Sequence, residues 1–425
     1  MATQRSRPAA GWLFAAGMLA SGPIAGCPAA LGGRPTAAPC PSDVRSVKAT
    51  GPNDASPGSG GGTGCPPVTS PQLGTAVDKS AEGPARDSFQ PMAPLNRPRY
   101  GFAHAAFGGR IYVFGGGTPR SSDGRQPTLL DSIEVYDTIS DTWAEIGKLP
   151  APRFGAAAAV QGTRILVVGG VVDASGGMAA TNSVLAFDPG SRAVATASSL
   201  PYAAWGIGLT ALEDGTLLAA GGVSGAPLFM GDINTNPLTV VDNWTRLPAG
   251  GGAWEAGGKL PEPRGLGQLA RTNESATLVG GRPNPPSGQP AGPADGKLFR
   301  FIPALAMWRQ LSTTVDPQSG GAVAQIAAGK FLVAGGLREP PPSTTPGSSD
   351  PGFNFGDGAT YLATATLTGI SKQPLPGFPG ATLGGAANVN GKVYVFGGLS
   401  GPMNSPAAKA DGYVLRTLPQ AQPAN

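Results

Sequence analysis

The chain has 425 residues, of which 13 % are charged, about half the usual share of a soluble domain. Its net charge of +4 is small, and the absence of a Lys/Arg cluster or basic stripe argues against a nucleic-acid partner. Gly (67) and Pro (45) together supply about a quarter of the residues, which suits turn-rich β structure when the glycines are periodic.

Residues 1–27 read as an export signal. Arg5 and Arg7 give a positive start, and Gly11 to Ala20 form an apolar core too short and glycine-rich to span a bilayer. The segment ends Ile24-Ala25-Gly26-Cys27, which resembles the lipobox of bacterial lipoproteins. That resemblance implies cleavage before Cys27 and its acylation, hence a cell-envelope protein held by a lipid anchor in the periplasm or at the surface. A plain secretory signal with a chance cysteine is the alternative. Residues 28–85 are rich in Pro, Gly, Ser, Thr and Ala without hydrophobic period, and are expected to be a disordered linker. Cys40 and Cys65 lie in it. In an oxidising compartment they are expected to form a disulfide, with free thiols or partners elsewhere as the alternative.

From Ile111 onward one pattern recurs. IYVFGG (Ile111 to Gly116) is followed by ILVVGG, LLAAGG, ATLVGG, FLVAGG and VYVFGG, with first glycines at 115, 169, 221, 280, 335 and 397. The steps of 54, 52, 59, 55 and 62 residues mark a repeat architecture. Each run is too short for a helix and too apolar for an exposed strand, so each predicts a buried strand. In the first repeat, SIEVYD (Ser132 to Asp137) and TWAEIGKLP (Thr142 to Pro150) supply two further strands. A double glycine, a following Tyr (Tyr136) and then a Trp (Trp143) resemble the kelch repeat. Later repeats offer Phe187-Asp188, Val241-Asp242 with Trp254, Phe301 with Trp308, Tyr361, and Tyr413. The third is expected to carry an insertion around Asn243 to Gly252.

The sixth repeat ends after three strands, Gly412 to Thr417 being the last. Asp87 to Gly101 aligns without a gap on Asp141 to Gly155 at an offset of 54, placing Phe89 on Trp143 and Arg99 on Arg153. Residues 87–93 are therefore a fourth strand without a repeat of their own, suited to complete the sixth. The expected fold is all-β: a six-bladed β-propeller over residues 86–419, with four antiparallel strands per blade, closed by an N-terminal strand. Residues 420–425 are expected to be a disordered tail.

The loops between second and third strands are long and irregular, and binding concentrates on such loops when a rigid scaffold holds them. Arg99, Arg153 and Arg264 follow prolines at the crossings between blades, and Trp205 is placed at the same point of blade three. Together they are candidates for an anionic or sugar ligand at the channel mouth; the competing reading has each Arg satisfying carbonyls of an adjacent blade. Trp143, Trp254, Trp308, Tyr136 and Tyr413 are expected to pack between blades. His104 is the only histidine, which excludes a two-His metal centre. Asp123, Asp131, Asp173, Asp232, Glu339 and Asp357 fall in the long loops without forming a recognisable pair. No catalytic residue, metal or cofactor is expected. The leading reading is a monomeric interaction module binding a protein or glycan through the long-loop face. The resemblance implies an alternative, a sugar mutarotase or epimerase using channel-mouth Arg and carboxylates.

Overall fold

The computed structural model describes residues 89–415, apart from 120–127, 175–176, 226–238, 273–274, 285–293, 339–353, 367, 376–377, 379 and 403–405. Everything described belongs to the unit Asp78–Asn425. The segments expected to be an export signal, a linker and a tail, with Cys27, Cys40 and Cys65, lie outside the described residues.

Six four-stranded antiparallel sheets form the blades. In blade one the order from the inside outward is Ala103–Phe107, Arg110–Phe114, Ser132–Asp137 and Thr142–Lys148. Blades two to five repeat it, with innermost strands Ala157–Gln161, Gly208–Ala211, Gln268–Thr272 and Ala322–Ala327. Blade six takes Gly385–Val389, Lys392–Phe396 and Gly412–Leu415 from the C-terminal end, and its outermost strand, Phe89–Met92, from the other end. Phe89 lies opposite Leu415 and Met92 opposite Gly412. The six blades and the closing strand are therefore as the repeat pattern predicts.

Beyond its first turn residue each second strand is almost wholly apolar and buried, because neighbouring blades cover both faces of its sheet. Ile111, Tyr112, Val113 and Phe114 are all buried, the first and third completely. Six apolar clusters fill the six clefts between blades. The predicted tryptophans sit in them. Trp143 packs 5.1 Å from Tyr136, and Trp308 packs 5.4 Å from Phe301. Trp143 also donates its indole N–H to the Ala93 carbonyl at 3.0 Å, tying the closing segment to blade one.

The double glycines are architectural. Gly115 and Gly116 have φ of 62° and 96°, a region that disfavours side chains. A Cβ on Gly115 would collide with the Arg153 carbonyl oxygen. The second glycine of each pair donates its N–H to the crossing into the next blade: Gly116 to Arg153, Gly170 to Ala204, Gly222 to Arg264, Gly281 to Gln318, Gly336 to Ala381 and Gly398 to Arg99, at 2.7–3.0 Å. Two residues further along each crossing, a second set closes on itself. Gly155 donates to Gly101, Gly206 to Gly155, Leu266 to Gly206, Gly320 to Leu266, Leu383 to Gly320, and Gly101 to Leu383, at 2.6–3.1 Å. All six residues of this ring have φ between 57° and 64°. The two leucines accept a conformation that costs a side-chain-bearing residue about 1–2 kcal/mol, and both pack against the apolar cluster above the ring. Below the ring the innermost strands line a channel of about 390 Å³.

Three expectations are corrected. The insertion placed around Asn243 to Gly252 begins instead with blade three's third strand, Asn243–Leu247. There Val241-Asp242 imitated the Tyr-Asp pair, but it is Leu247 that occupies Tyr136's register, opposite Leu217. Tyr361 and Tyr413 are offset by two residues, because Ala363 and Leu415 stand where Tyr136 does. Finally, the long loops are in part regular. Val171–Ala174 pairs with Gly177–Ala180, and Val223–Ser224 with Thr239–Val240. Asn354–Phe355 of blade five joins Leu399–Pro402 and Ala407–Ala408 of blade six in one three-stranded sheet.

Candidate functional site

The long-loop face is rooted in an apolar cluster to which all six blades contribute. Its buried members include Tyr100, Phe154, Trp205, Val223, Leu337, Phe355 and Leu399, with Leu266 and Leu383 packed against it. The residue after each double glycine bridges the crossing of its own blade: Gly117 with Tyr100, Val171 with Phe154, Val223 with Trp205, Arg282 with Gly265, Leu337 with Ser319, and Leu399 with Thr382. Each hairpin therefore starts from a fixed point on the propeller.

Trp205 stands in the register of Tyr100 and Phe154, one residue beyond the arginines. Ala204 holds the arginine place, and its carbonyl accepts the Gly170 N–H as the Arg153 carbonyl accepts that of Gly116. The sequence placed Trp205 itself at the arginine point because the Pro-Arg pair is missing from this crossing. Trp205 lies 4 % exposed in the apolar cluster, 6.3 Å from Phe154.

The three arginines are buried, and each is held within its own blade. Arg99 donates to the Gly115 carbonyl at 2.9 Å, to Ser132 Oγ at 3.0 Å and to the Glu134 carboxylate. Both side chains of that ion pair are fully buried. Burial lowers the Arg99 pKa and raises that of Glu134, while their mutual attraction opposes both shifts. Among the described residues, no carboxylate pairs with Arg153. It donates to the carbonyls of Gly169 at 2.7 Å and Ser183 at 3.0 Å and to Ser183 Oγ at 2.8 Å, and burial pulls its pKa down to about 10. Arg264 grips Asp295 with two hydrogen bonds of 2.7 and 2.8 Å and Glu262 with one of 2.8 Å. Burial acts to raise the Asp295 pKa, but the Arg264 fork, the Lys297 backbone N–H and both nearby cations outweigh it, leaving the carboxyl below its ordinary value. Lys297 closes the network on Glu262 at 2.6 Å.

The structure thus places the four predicted residues in successive blade junctions and does not bring them into one pocket. Of the loop carboxylates, Asp131 pairs with Lys148 at 3.1 Å, and Asp173 and Asp357 are exposed. Asp123, Asp232 and Glu339 lie outside the described residues. The partners Glu134, Glu262 and Asp295 were not singled out from sequence. A Glu inside the apolar strand SIEVYD was the available signal for the first. Among the described residues, no group of three His, Cys, Asp or Glu side chains is placed to hold a metal.

The kelch motif model matches residues 98–150, which are the crossing and four strands of blade one. The fold is that of a kelch-repeat propeller. β-Scruin of Limulus polyphemus is 33 % identical over 107 residues, covering 25 % of this chain and 12 % of that protein. Human Kelch-like protein 33 is 36 % identical over 87 residues, 20 % of this chain and 15 % of its own length. The human Rab9 effector protein with kelch motifs is 34 % identical over 83 residues, covering 19 % and 21 %. The chain thus spans between about an eighth and a fifth of these relatives. Among solved structures, that of YjhT is similar with a TM-score of 0.59, covering 77 % of this chain and 97 % of that one at 16 % identity. At that identity the likeness is one of fold. The kelch fold makes this propeller a candidate protein-interaction module.

Proposed function

We propose that this chain is an exported, lipid-anchored kelch propeller that binds a protein partner through its long-loop face. The observation that carries the reading is the rooting of the loop hairpins in a cluster drawn from all six blades. Rigidly based loops present side chains at fixed positions, which lowers the ordering cost of binding. The named relatives, one of them called a Rab9 effector, support a protein partner over a glycan. A sugar mutarotase or epimerase would need arginines free to meet substrate. Here Arg99, Arg153 and Arg264 are engaged by carbonyls, Glu134, Asp295 and Glu262.

The test compares the full chain with a variant in which residues 172–179 and 400–407 are each replaced by a short Gly-Ser turn. Cross-linking in cells, followed by reconstitution with each candidate, should recover a protein partner that the variant loses while keeping its thermal unfolding. Equal binding by both chains sinks the long-loop reading, and binding of glycans alone replaces the partner class. The anchor rests on Ile24-Ala25-Gly26-Cys27 and on the Pro/Gly/Ser-rich stretch after it. Cys27→Ser should move the protein from the membrane pellet to the soluble fraction; continued sedimentation removes the anchor.

A further inference from the structure

The face opposite the long loops carries the short turns, which join first to second and third to fourth strands. Among the described residues, three large apolar side chains are well exposed: Ile139 (96 %), Leu305 (64 %) and Met307 (47 %). All three lie at third-to-fourth turns on this face. The two turns are equivalent. Residues 138–141 join Asp137 to Thr142 in blade one, and residues 303–306 join Ile302 to Met307 in blade four. Each ends on a left-handed residue, Asp141 at φ 51° and Ala306 at φ 47°. Single exposed apolar residues are ordinary on a protein surface. These stand on opposite blades of a six-membered ring, so they straddle the channel mouth on one side of the molecule.

The same face is basic along one arc. Arg110, Arg164, Lys330 and Lys392 open the second strands of blades one, two, five and six. Closure makes these four blades consecutive around the ring. The same point in blades three and four holds Thr216 and Ser275. Arg110 pairs with Asp137 at 3.0 Å; among the described residues no carboxylate pairs with the other three. Asp137 and Asp188 accept backbone N–H groups of the turns they open, and Asp141 accepts the Ala93 N–H and the Tyr136 hydroxyl. Glu213 and Asp214 are exposed on blade three, away from the arc, and Glu274 of blade four lies outside the described residues. The chain also arrives on this face. Phe89 lies opposite Leu415, which lies opposite Val393, the residue after Lys392. Residues 28–88, which follow Cys27, therefore join the propeller within the basic arc, at blade six.

We propose that this face rests on an anionic lipid bilayer, with Ile139, Leu305 and Met307 in the interfacial layer and Arg164, Lys330 and Lys392 on lipid headgroups. Cations beside exposed apolar side chains suit such a surface: the charges meet its negative potential and the apolar groups leave water. A tether makes docking intramolecular, so contacts too weak to hold a free protein suffice for an anchored one. The long-loop face is then turned outward, toward its partner. The inference rests on the lipid anchor proposed above, and a chain without the anchor tests the contact by itself.

The test is flotation of residues 27–425 carrying Cys27→Ser, which lack signal and acyl chain alike. Vesicles of phosphatidylglycerol and phosphatidylethanolamine should retain this chain, and vesicles of phosphatidylcholine should not. Lys330→Gln and Lys392→Gln should each weaken binding roughly fivefold, as expected for one cation near an anionic surface. Ile139→Ser and Leu305→Ser should each weaken it as well. Lys148→Gln, an equal loss of charge on the opposite face, where Lys148 pairs with Asp131, should change nothing. Salt at about 0.5 M should release the Cys27→Ser chain but not the acylated one, because screening leaves the burial of an acyl chain untouched. Failure of the anchor and failure of the contact are thus told apart. In the acylated chain, a photo-reactive residue at position 139 should label lipid. Thermal unfolding reports on each variant's fold. Equal binding to neutral vesicles, no binding to anionic ones, unchanged binding in the folded Lys330→Gln, Lys392→Gln and Ile139→Ser variants, or labelling of protein in place of lipid would each overturn the assignment.

Discussion

His104 joins blade one to blade six, at the seam where the propeller closes. Its Nε2 lies 2.9 Å from the Ala386 carbonyl oxygen and 3.1 Å from the Ala386 backbone nitrogen, so one tautomer donates to that carbonyl across the cleft and the other accepts that N–H. Its ring meets Phe396 edge-on at 5.6 Å and Phe102 at 6.0 Å. Burial pushes the imidazole pKa down, against a smaller upward pull from the Ala386 hydrogen bond. The sign of the linkage follows. Below the ordinary histidine pKa of about 6.5, the unfolded chain takes up a proton that the folded state resists. This group's contribution to stability is therefore full above that pH and declines as pH falls toward the folded pKa. Burial also raises the Glu134 carboxyl, so the part of the slope that belongs to the one histidine is the part lost in a His104 variant. Urea unfolding of untagged protein between pH 7 and pH 5 should show stability falling by up to about 1.4 kcal/mol per pH unit. In His104→Gln, which keeps a donor for Ala386, the slope should flatten; an identical slope in both proteins would remove His104 as its source.

At the scale of the element, the strands most legible in sequence were those buried on both faces. Ile111–Phe114 and its five counterparts announce themselves because no polar alternation is needed between two neighbouring blades. The closing strand was legible by its alignment on Asp141 to Gly155, and Phe89 does stand opposite Leu415 as Trp143 stands opposite Tyr136. Asn243–Leu247 was hidden because its register is marked by Leu247 rather than an aromatic, and because a seven-residue turn, Pro248 to Trp254, follows it. The hairpins of the long loops were hidden for another reason. Segments such as Val171–Ala174 are stabilised by the fixed start that the crossing supplies, not by an apolar pattern of their own. The arginines illustrate the same limit. Pro-Arg marked three crossings correctly, but their partners come from elsewhere in each blade: Glu134 from a third strand, Asp295 from just before one, and Ser183 from just before another. Spacing along the chain carries no trace of such contacts.

The whole molecule depends on one seam. In a closed propeller every blade has two neighbours, so each apolar cleft is completed from both sides. Five of those junctions are continuous in sequence. The sixth joins opposite ends of the domain through the strand pairing of Phe89–Met92 with Gly412–Leu415, the Gly398-to-Arg99 and Gly101-to-Leu383 hydrogen bonds of 2.8 Å, and the Leu95-to-Ala410 hydrogen bond of 2.9 Å. Removing residues 86–94 would take away Phe89, which meets Phe378 at 4.8 Å, and Met92, which is buried in the blade six–one cleft. It would also remove the Ala93 carbonyl that accepts the Trp143 indole N–H. Losing a buried side chain such as Met92 costs about 2–5 kcal/mol, and the half-buried Phe89 and the strand pairing add to it, which together approach a large part of the roughly 5–15 kcal/mol that holds a typical fold. The deletion should therefore lower the melting temperature by about 10 °C or more, at roughly 2–4 °C per kcal/mol for a large domain. An equal deletion at residues 55–63 is the control and should leave melting unchanged. A synthetic peptide of residues 86–98, added in excess, should bind the open edge of blade six and restore part of the loss in proportion to its concentration. Melting that does not respond to the deletion would mean that the ring is held by its six interblade clefts without the closing strand.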